Sequence, residues 1–407
     1  MARSGTQLLD HVGARAIAAR CFEPTSTRDL VGLELEWHVF DAHDLDRRPG
    51  VGEIRAAVGV APLAPGVTTS IEPGGQIELD TPPRRLPQAV ALARQAAAEL
   101  RRRLDAAHLV PSATGCDPHR RPENLLDEPR YEAMATTFAV RGPHGIAMMA
   151  NTAAVQVNVD LSLDHGRWVL AHQLGPVLVA AFANSPVAPD RSTGRKCHRL
   201  ANWWAIDPSR TAPVDHCGDP ADAWYHYAMQ ANLLLIRREG RAVPMHAPFT
   251  FETWMAEGHE LGRPTADDFC YHLTTLFPPV RPRGFLELRF LDALDDRDWI
   301  VATAVIAGLG HDDCRREALA LTEPATGRWM AAATDGLDDP VLAAVADAIA
   351  PLALDGLAAL GADGEITRAV RAWQDGDLAA RRCPADRLLD RWHRTGSLVP
   401  LPQPASP

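Results

Sequence analysis

Two short stretches about forty residues apart constrain the fold most, because polar and apolar residues alternate in both. The first is GLELEWH at residues 32–38, and the second is EPGGQIEL at residues 72–79. Successive side chains of an extended chain point to opposite faces of a sheet. Glu34 and Glu36 therefore share one face, and Gln76, Glu78 and Asp80 line up in the same way. The alternation predicts strands that each carry a row of carboxylates.

Two later stretches repeat the pattern. Gln156, Asn158 and Asp160 alternate with valines in TAAVQVNVD, and Glu287 and Arg289 do so with apolar residues in GFLELRF. The solvated face of an antiparallel sheet explains one such row. Four rows exceed that explanation, because like charges aligned on strands destabilise their pairing. A divalent cation would compensate them, and oxygen-only ligands favour Mg²⁺ or Mn²⁺ over zinc.

Composition limits the class of protein. The chain has 407 residues with 46% apolar residues, which is enough for one large domain or two. The net charge of −11 argues against a general nucleic-acid binder. Seven cysteines without a CxxC spacing are typical of a reduced cytoplasmic protein. The N-terminus does not resemble a signal peptide, and we identify no apolar run near the ~18 residues that cross a bilayer. We therefore expect a soluble cytoplasmic protein without membrane contact. We also expect a monomer or weak homodimer, although nothing in the sequence determines the oligomeric state.

The periodicity predicts an α+β fold with a helical C-terminal region. Strands are expected at 29–40, 68–80 (a strand or tight hairpin bent at glycine), 108–115, 152–161 and 284–291. Helices are expected at 6–22, 86–107, 130–139, 166–182, 221–236, 265–276, 297–321, 339–360, 365–381 and 384–394. Residues 41–65 are predicted to be a connection, 142–149 a loop and 184–213 a long irregular segment. We expect a core at 1–295, a helical region packed on it at 296–399, and a disordered tail at 400–407.

Several nucleotide-binding and hydrolase motifs are absent from the sequence. It contains no GxxxxGK[ST], GxGxxG, HExxH or GxSxG string in a suitable context. Any ATP site must therefore be built without a P-loop.

The strings GLELEWH, SIEPGGQIEL, MMANTAAVQVNVD, ANSP and GFLELRFLD resemble the glutamate–cysteine ligase family of plants and proteobacteria. Within it, the sequence is most similar to the bacterial branch that makes γ-glutamylcysteine for ergothioneine. The resemblance extends from about residue 30 to 292 and implies a curved antiparallel sheet of the glutamine synthetase type, flanked by helices. It further implies that ATP and two or three Mg²⁺ ions (Mn²⁺ is possible) serve to phosphorylate the γ-carboxylate of glutamate. The amine of cysteine then displaces phosphate.

The resemblance also suggests roles for the polar rows. The expected metal ligands are Glu34, Glu36, Glu72, Glu78, Gln156 and Glu287. The expected catalytic residues are Glu36, Glu78 and Arg289, and nucleotide contacts are expected from Gln156, Asn158 and Arg289.

Glutamate needs a cation for its α-carboxylate. We favour Arg199, because a planar guanidinium pairs bidentately with a carboxylate. Arg210 and Arg281 are competing candidates, and each of the three arginines could instead have a purely structural role. Trp203 is expected either to form a wall of the substrate pocket or to pack in the core.

Three alternative functions remain open at this point. A ligase of the same chemistry could use another amine acceptor. A hydrolase could use paired carboxylates as acid and base, although five acidic residues exceed a pair. A catalytically inactive binding protein could retain the same residues.

Overall fold

Strand β1 (Leu30–Asp41) is the centre of the fold, where the first alternating stretch predicted a strand. The computed structural model describes residues 8–189, 191–246 and 248–398. The other strands are β2 Thr68–Ile71, β3 Ile77–Asp80, β4 Arg84–Arg85, β5 Leu109–Ser112, β6 Ala154–Asp160, β7 Val187–Ala188, β8 Arg191–Ser192, β9 Leu235–Arg238, β10 Arg241–Pro244, β11 Val280–Pro282 and β12 Phe285–Asp292.

Seventeen α-helices are assigned within the described residues. They are α1 His11–Arg20, α2 Val51–Val58, α3 Leu86–Ala106, α4 Pro129–Ala139, α5 His144–Asn151, α6 Gly166–Phe182, α7 His198–Ile206, α8 Pro208–Thr211, α9 Pro220–Gln230, α10 Phe251–Glu257, α11 Ala266–Leu273, α12 Asp296–Gly310, α13 Asp312–Thr322, α14 Trp329–Asp335, α15 Pro340–Ala359, α16 Gly364–Trp373 and α17 Pro384–Thr395.

Eight strands of the described part of the chain form one antiparallel sheet. Its main path runs β11, β12, β6, β1, β3, β2, and β4 and β5 pair with the two ends of β1. The apolar residues of β1, Leu33, Leu35 and Trp37, are buried in the main core. That face packs against helices that include α3, α6 and α12. The acidic face of β1 points the other way, towards α4, α5 and α7. The expected antiparallel α+β core is confirmed.

The hairpin of β2 and β3 forms at the glycine pair, as the sequence predicted. Gly75 has a φ of +85°, which a side chain would strain. A Cβ on Gly74 would lie 2.0 Å from the carbonyl oxygen of Ala150. Both glycines are therefore needed for the turn to pack on the end of α5.

Several local predictions were wrong. The expected connection at 41–65 contains α2, and the expected loop at 142–149 forms most of α5. The expected irregular segment at 184–213 contains α7 and α8 together with the β7–β8 hairpin. Glycines and prolines at the ends of these short helices obscured their periodicity. The helix expected at 221–236 ends at Gln230, and a strand begins at Leu235.

The region after Asp295 is helical, as predicted, and α12, α13 and α15 pack on one another and on α6. A Cβ on Gly356 of α15 would lie 2.0 Å from the carbonyl oxygen of Gly308 on α12, so the two helices approach closely. The expected tail at 400–407 lies outside the described residues.

One expectation about apolar runs was wrong. Helix α15 is 20 residues long and apolar enough, by length and composition, to cross a bilayer. It is the only such helix among the residues that the structure describes. Residues Leu342, Ala346 and Ile349 are buried in the core, so its packing against α12 and α13 accounts for its apolar character.

Candidate active site

The strand register brings the polar rows together on one face of the sheet. Glu36 pairs with Glu78, and Glu34 lies between Asp80 on one side and Gln156 on the other. These neighbours are separated by only one strand spacing, so their side chains meet. The four rows predicted from the sequence therefore share one face, on which Glu287 of β12 also lies opposite Asn158. The carboxylates Glu34, Glu36, Glu72, Glu78 and Asp80 of this face are called the carboxylate patch below.

Three carboxylates of the patch could share a metal ion. One oxygen each of Glu34, Glu78 and Asp80 lies within 4.8 Å of the others. Asp80 was part of the predicted polar row but was not among the expected ligands. An all-oxygen donor set of this kind fits Mg²⁺ or Mn²⁺.

Burial raises the pKa of five carboxylates on this face, which are Glu34, Glu36, Glu72, Glu78 and Asp80. For Glu36, burial and then the charge of Glu72 raise the pKa to about 7. For Glu78, burial and then Glu36 and Glu72 raise it to about 9. The pKa values of Glu34, Glu72 and Asp80 are also raised, in each case chiefly by burial. Such crowding is costly for the protein alone and favours the binding of a compensating cation.

Glu287 has different surroundings from those expected of a metal ligand. Its carboxylate is buried and accepts hydrogen bonds from Arg281, Arg283 and Arg289, at 2.5 to 2.9 Å. Burial alone would raise the pKa of Glu287, but Arg281 and Arg289 outweigh it and hold the pKa well below its usual range. Its oxygens are thus occupied by guanidinium groups, and we leave Glu287 out of the proposed metal set.

The polar side chains of β6 are also engaged within the protein. The Gln156 amide donates to Glu36 at 3.3 Å and accepts from Arg289 at 2.7 Å. Asn158 donates to Glu34 at 2.8 Å. The oxygen and the nitrogen of the Gln156 amide are thus both already engaged within the protein.

A cavity of about 320 Å³ lies between the carboxylate face and helices α4, α5 and α7. Residues from the sheet side include Glu36, Glu72, Gln156, Arg281 and Arg289, and residues from the helical side include Arg130, Tyr131, Met134, Met148, Met149, Arg199 and Trp203. One wall is thus rich in charge, and the other is largely apolar.

Arg199 is oriented for a ligand in this cavity. Its side chain is buried, and its guanidinium lies over Trp203 with the carbon 4.6 Å from the ring centre. Nη2 donates to the backbone oxygen of Arg289 at 3.0 Å. Nε and Nη1 are buried and have no hydrogen-bond partner among the described residues. A buried guanidinium with unpaired donors suits an anionic ligand such as a carboxylate.

The other two arginine candidates are placed differently. Arg210 is fully buried and does not line the cavity. It donates hydrogen bonds to the Asp207 carboxylate and to the backbone oxygens of Thr275 and Asn232. Arg281 lines the cavity but is paired with Glu287. Trp203 also lines the cavity, and its indole donates to the Phe277 oxygen at 2.8 Å.

Sequence reasoning missed the contribution of α4 and α5 to the cavity. Met134 lies four residues after Arg130 and three after Tyr131 on α4, so helical spacing brings it beside both. That spacing was visible in the sequence, but nothing there linked this helix to the carboxylate rows.

Under the activity that the sequence resemblance implies, we expect Arg199→Lys to raise the KM for glutamate about tenfold or more and to change the KM for ATP much less. Lysine keeps the charge but loses the two parallel donors of the guanidinium. Steady-state kinetics with each substrate varied in turn would measure this effect. Arg237→Lys, a substitution on β9 outside the cavity lining, is the matched control. A larger change in the KM for ATP would place Arg199 at the phosphate site.

The carboxylate patch also predicts a pH dependence of stability without cations. The pKa values of Glu36 and Glu78 are raised in the folded state, so the unfolded chain loses its protons first as pH rises above about 4.5. The free energy of unfolding should therefore fall as pH rises from about 4.5 through 7 and 9.

Thermal unfolding at pH 6 and pH 9 in a chelator tests this expectation. Glu78→Gln should reduce the loss of stability at pH 9, and added Mg²⁺ should stabilise the wild type more than this variant. Glu257→Gln, at an exposed position, should behave like the wild type. Equal pH dependence in the wild type and Glu78→Gln would contradict the description of the patch.

Comparison with solved structures first defines the fold class. The structure resembles a glutamate–cysteine ligase from Francisella tularensis, solved in complex with AMP, with a TM-score of 0.56 and 13% sequence identity. The match spans 92% of this chain and 86% of that one. The fold is therefore that of the ligases with a glutamine-synthetase-like sheet, as the sequence predicted.

Sequence comparison then gives the family. Residues 30–403 match the model of glutamate-cysteine ligase family 2, and the chain belongs to this family. It is 37% identical over 400 residues to glutamate–cysteine ligase EgtA of Mycolicibacterium smegmatis, spanning 95% of this chain and 92% of the relative. It is 29% identical over 315 residues to the chloroplastic glutamate–cysteine ligase of Brassica juncea, spanning 71% and 60% of the two chains. The resemblance seen in the short motifs is confirmed.

Proposed function

We propose that this protein joins the γ-carboxylate of glutamate to the amine of cysteine, with conversion of ATP to ADP and phosphate. The observation that carries the proposal is a single cavity that adjoins a carboxylate patch and contains the unpaired donors of Arg199. The relative from M. smegmatis that matches nearly the whole chain is named as a glutamate–cysteine ligase, and this supports the choice of substrates.

The chemistry requires activation of a carboxylate. A carboxylate is a poor electrophile because its charge repels nucleophiles and oxide is a poor leaving group. Transfer of the γ-phosphoryl group of ATP to a γ-oxygen of glutamate gives an acyl phosphate and ADP. The cysteine amine then attacks the acyl carbon, and phosphate leaves with the bonding electron pair.

In this proposal the arginines and the carboxylates of the site have separate roles. Arg199 binds the α-carboxylate of glutamate, and Arg289 faces the same cavity with its charge shared between Glu287 and the substrate. Glu34, Glu36, Glu72, Glu78 and Asp80 would hold the cations. Bound Mg²⁺ supplies charge neutralisation for the phosphates and orients an in-line transfer.

The nucleotide is expected near β6 and β12. The F. tularensis ligase was solved with AMP, and adenine nucleotide binding extends to this chain as part of the proposal. The sequence-based contacts from Gln156, Asn158 and Arg289 remain predictions, and the Oδ1 atom of Asn158 is buried without a hydrogen-bond partner within the described ranges.

The acceptor and the biological setting also belong to the proposal. Met134, Met148 and Met149 line the cavity, and their polarisable thioethers suit a thiol side chain. We propose that the product serves ergothioneine synthesis in the cytoplasm. The division into a ligase core at 1–295 and a packed helical region at 296–399, and the monomer or weak homodimer, are carried forward as proposals.

Incubation with ATP, Mg²⁺ and glutamate, plus one amine at a time, tests the function. Mass spectrometry should detect γ-glutamylcysteine with cysteine, and much less product with serine, glycine or alanine. Product must require ATP and should be lost in Glu36→Gln. A better turnover with another amine would change the acceptor, and product without ATP would contradict the ligase assignment.

A further inference from the structure

A buried carboxylate that the proposed mechanism does not use lies beside Arg199. Asp292 is the last residue of β12 and is 1% exposed. Its strand has a bulge, because the register with β6 shifts between Leu288 and Leu291. Beyond the bulge, Asp292 pairs with Ala154. Ala154 is two residues from Gln156 on β6 and therefore faces the same side of the sheet. The bulge therefore turns Asp292 to the carboxylate face, where regular alternation would have turned Leu291.

Asp292 does not face the cavity directly but binds the segment between α6 and α7. One oxygen accepts from the Asn184 backbone amide and from the Ser185 hydroxyl, both at 2.7 Å. The other oxygen accepts from the Cys197 thiol at 3.2 Å. A Cβ on Gly115 would lie 2.4 Å from the Asp292 carboxyl carbon, so the carboxylate cannot move in that direction.

The Ser185 hydroxyl connects Asp292 to Arg199. Because the hydroxyl proton is donated to Asp292, its lone pair is free to accept from the Arg199 backbone amide, at 3.0 Å. Two backbone hydrogen bonds also hold the segment of Ser185 against the start of α7. The Ser185 amide donates to the Lys196 oxygen, and the His198 amide donates to the Ser185 oxygen. The hydrogen bonds run in one direction, from the amide of Arg199 to the Ser185 hydroxyl and on to Asp292.

We propose that Asp292 and Ser185 are positioning residues that fix Arg199 for the α-carboxylate of the substrate. This inference rests on the proposed function, because it takes glutamate as the ligand of Arg199. The first turn of α7 begins at His198, so a shift of the Arg199 amide moves its whole side chain. The unpaired Nε and Nη1 atoms stay directed at a ligand only while that backbone is held. We call the hydrogen bonds from the Arg199 amide through Ser185 to Asp292 the relay. The relay therefore controls the affinity for glutamate, and the carboxylate patch serves the phosphate chemistry.

Ser185→Ala tests the relay, because it removes both hydrogen bonds of the hydroxyl. We expect the KM for glutamate to rise about tenfold, with kcat and the KM values for ATP and cysteine changed less than about threefold. Ser185→Cys keeps the volume but forms weaker hydrogen bonds, and it should shift the same constant in the same direction if Ser185→Ala fails to fold.

Ser162→Ala is the matched control. The Ser162 hydroxyl also accepts from an arginine backbone amide, that of Arg167 at 3.0 Å, but at the start of α6 and outside the cavity lining. It should leave the KM for glutamate unchanged. In the Arg199→Lys background, Ser185→Ala should add less than about a twofold change, because the relay acts through Arg199.

Calorimetric titration with glutamate separates the inference from the proposed function. If the wild type binds glutamate but makes no γ-glutamyl product, the proposed function fails, and the dissociation constants of the variants still test the relay. Weaker glutamate binding in Ser185→Ala, but not in Ser162→Ala, supports it. Equal rises in the KM values for glutamate, ATP and cysteine in Ser185→Ala would overturn the inference. So would a rise in the KM for glutamate that is as large in the Arg199→Lys background as in the wild type.

Discussion

Replacing Glu36 with glutamine is expected to lower kcat at least about 100-fold while the protein still folds. Glu36 lies in the centre of the patch, opposite Glu78 on β3. Its oxygens accept from the Ala154 amide at 2.9 Å and from Gln156 at 3.3 Å. Burial and the charge of Glu72 raise the pKa of Glu36 to about 7, so its surroundings favour a neutral side chain when no cation is bound. Glutamine keeps the shape but loses the charge that would hold a cation.

The measurement is steady-state turnover across a range of Mg²⁺ concentrations, together with a thermal unfolding scan. Glu53→Gln is the matched control, since Glu53 forms an ion pair with Arg47 on the surface of α2. The control should retain activity within about twofold. Wild-type turnover of Glu36→Gln at ordinary Mg²⁺ concentrations would exclude the carboxylate patch as the cation site.

Replacing Glu287 with glutamine is expected to cost about 3 kcal/mol or more in the free energy of unfolding. The Glu287 side chain is 1% exposed and pairs with Arg281 and Arg289, each 12% exposed. Neutralising it leaves two nearly buried guanidinium groups without their common counter-charge. The stabilising carboxylate has a pKa lowered from its usual value of 4.5, so it contributes throughout the neutral range, and this contribution is lost progressively as pH falls below about 4.5.

Arg283→Gln provides the comparison for this prediction. Arg283 bonds the same carboxylate, but its side chain is 53% exposed, so solvent screens the pair and its loss should cost less than about 1 kcal/mol. Denaturant unfolding of both variants at pH 7.5 measures the difference. If Glu287→Gln unfolds at the same denaturant concentration as the wild type, the arginine cluster does not depend on this carboxylate.

The sequence was most informative where two-residue alternation was strong. The rows of β1, β3, β6 and β12 predicted both the sheet and the shared face, because the pairing register follows once one face must be buried. The motifs of these strands also carried the family resemblance. Arg199 was selected for its chemistry, and the structure supplies the unpaired donors that suit this role.

The remaining features depend on distant contacts. Nothing in the string GFLELRFLD shows that Arg281, Arg283 and Arg289 surround Glu287, since that arrangement needs the pairing of β11 with β12. The bulge that turns Asp292 to the other face is likewise a property of the pair β6 and β12. Helix α5 was missed because a short helix gains its stability from packing on its neighbours more than from propensity.

Transfer of ¹⁸O tests the central claim most directly. If glutamate is activated as an acyl phosphate, one γ-carboxylate oxygen leaves with the phosphate. Glutamate labelled with ¹⁸O at the γ-carboxylate is incubated with ATP, Mg²⁺ and cysteine, and the released phosphate is analysed by mass spectrometry. The account predicts one labelled oxygen in each phosphate formed together with dipeptide. Unlabelled phosphate accompanying dipeptide, or AMP and pyrophosphate as products, would contradict it.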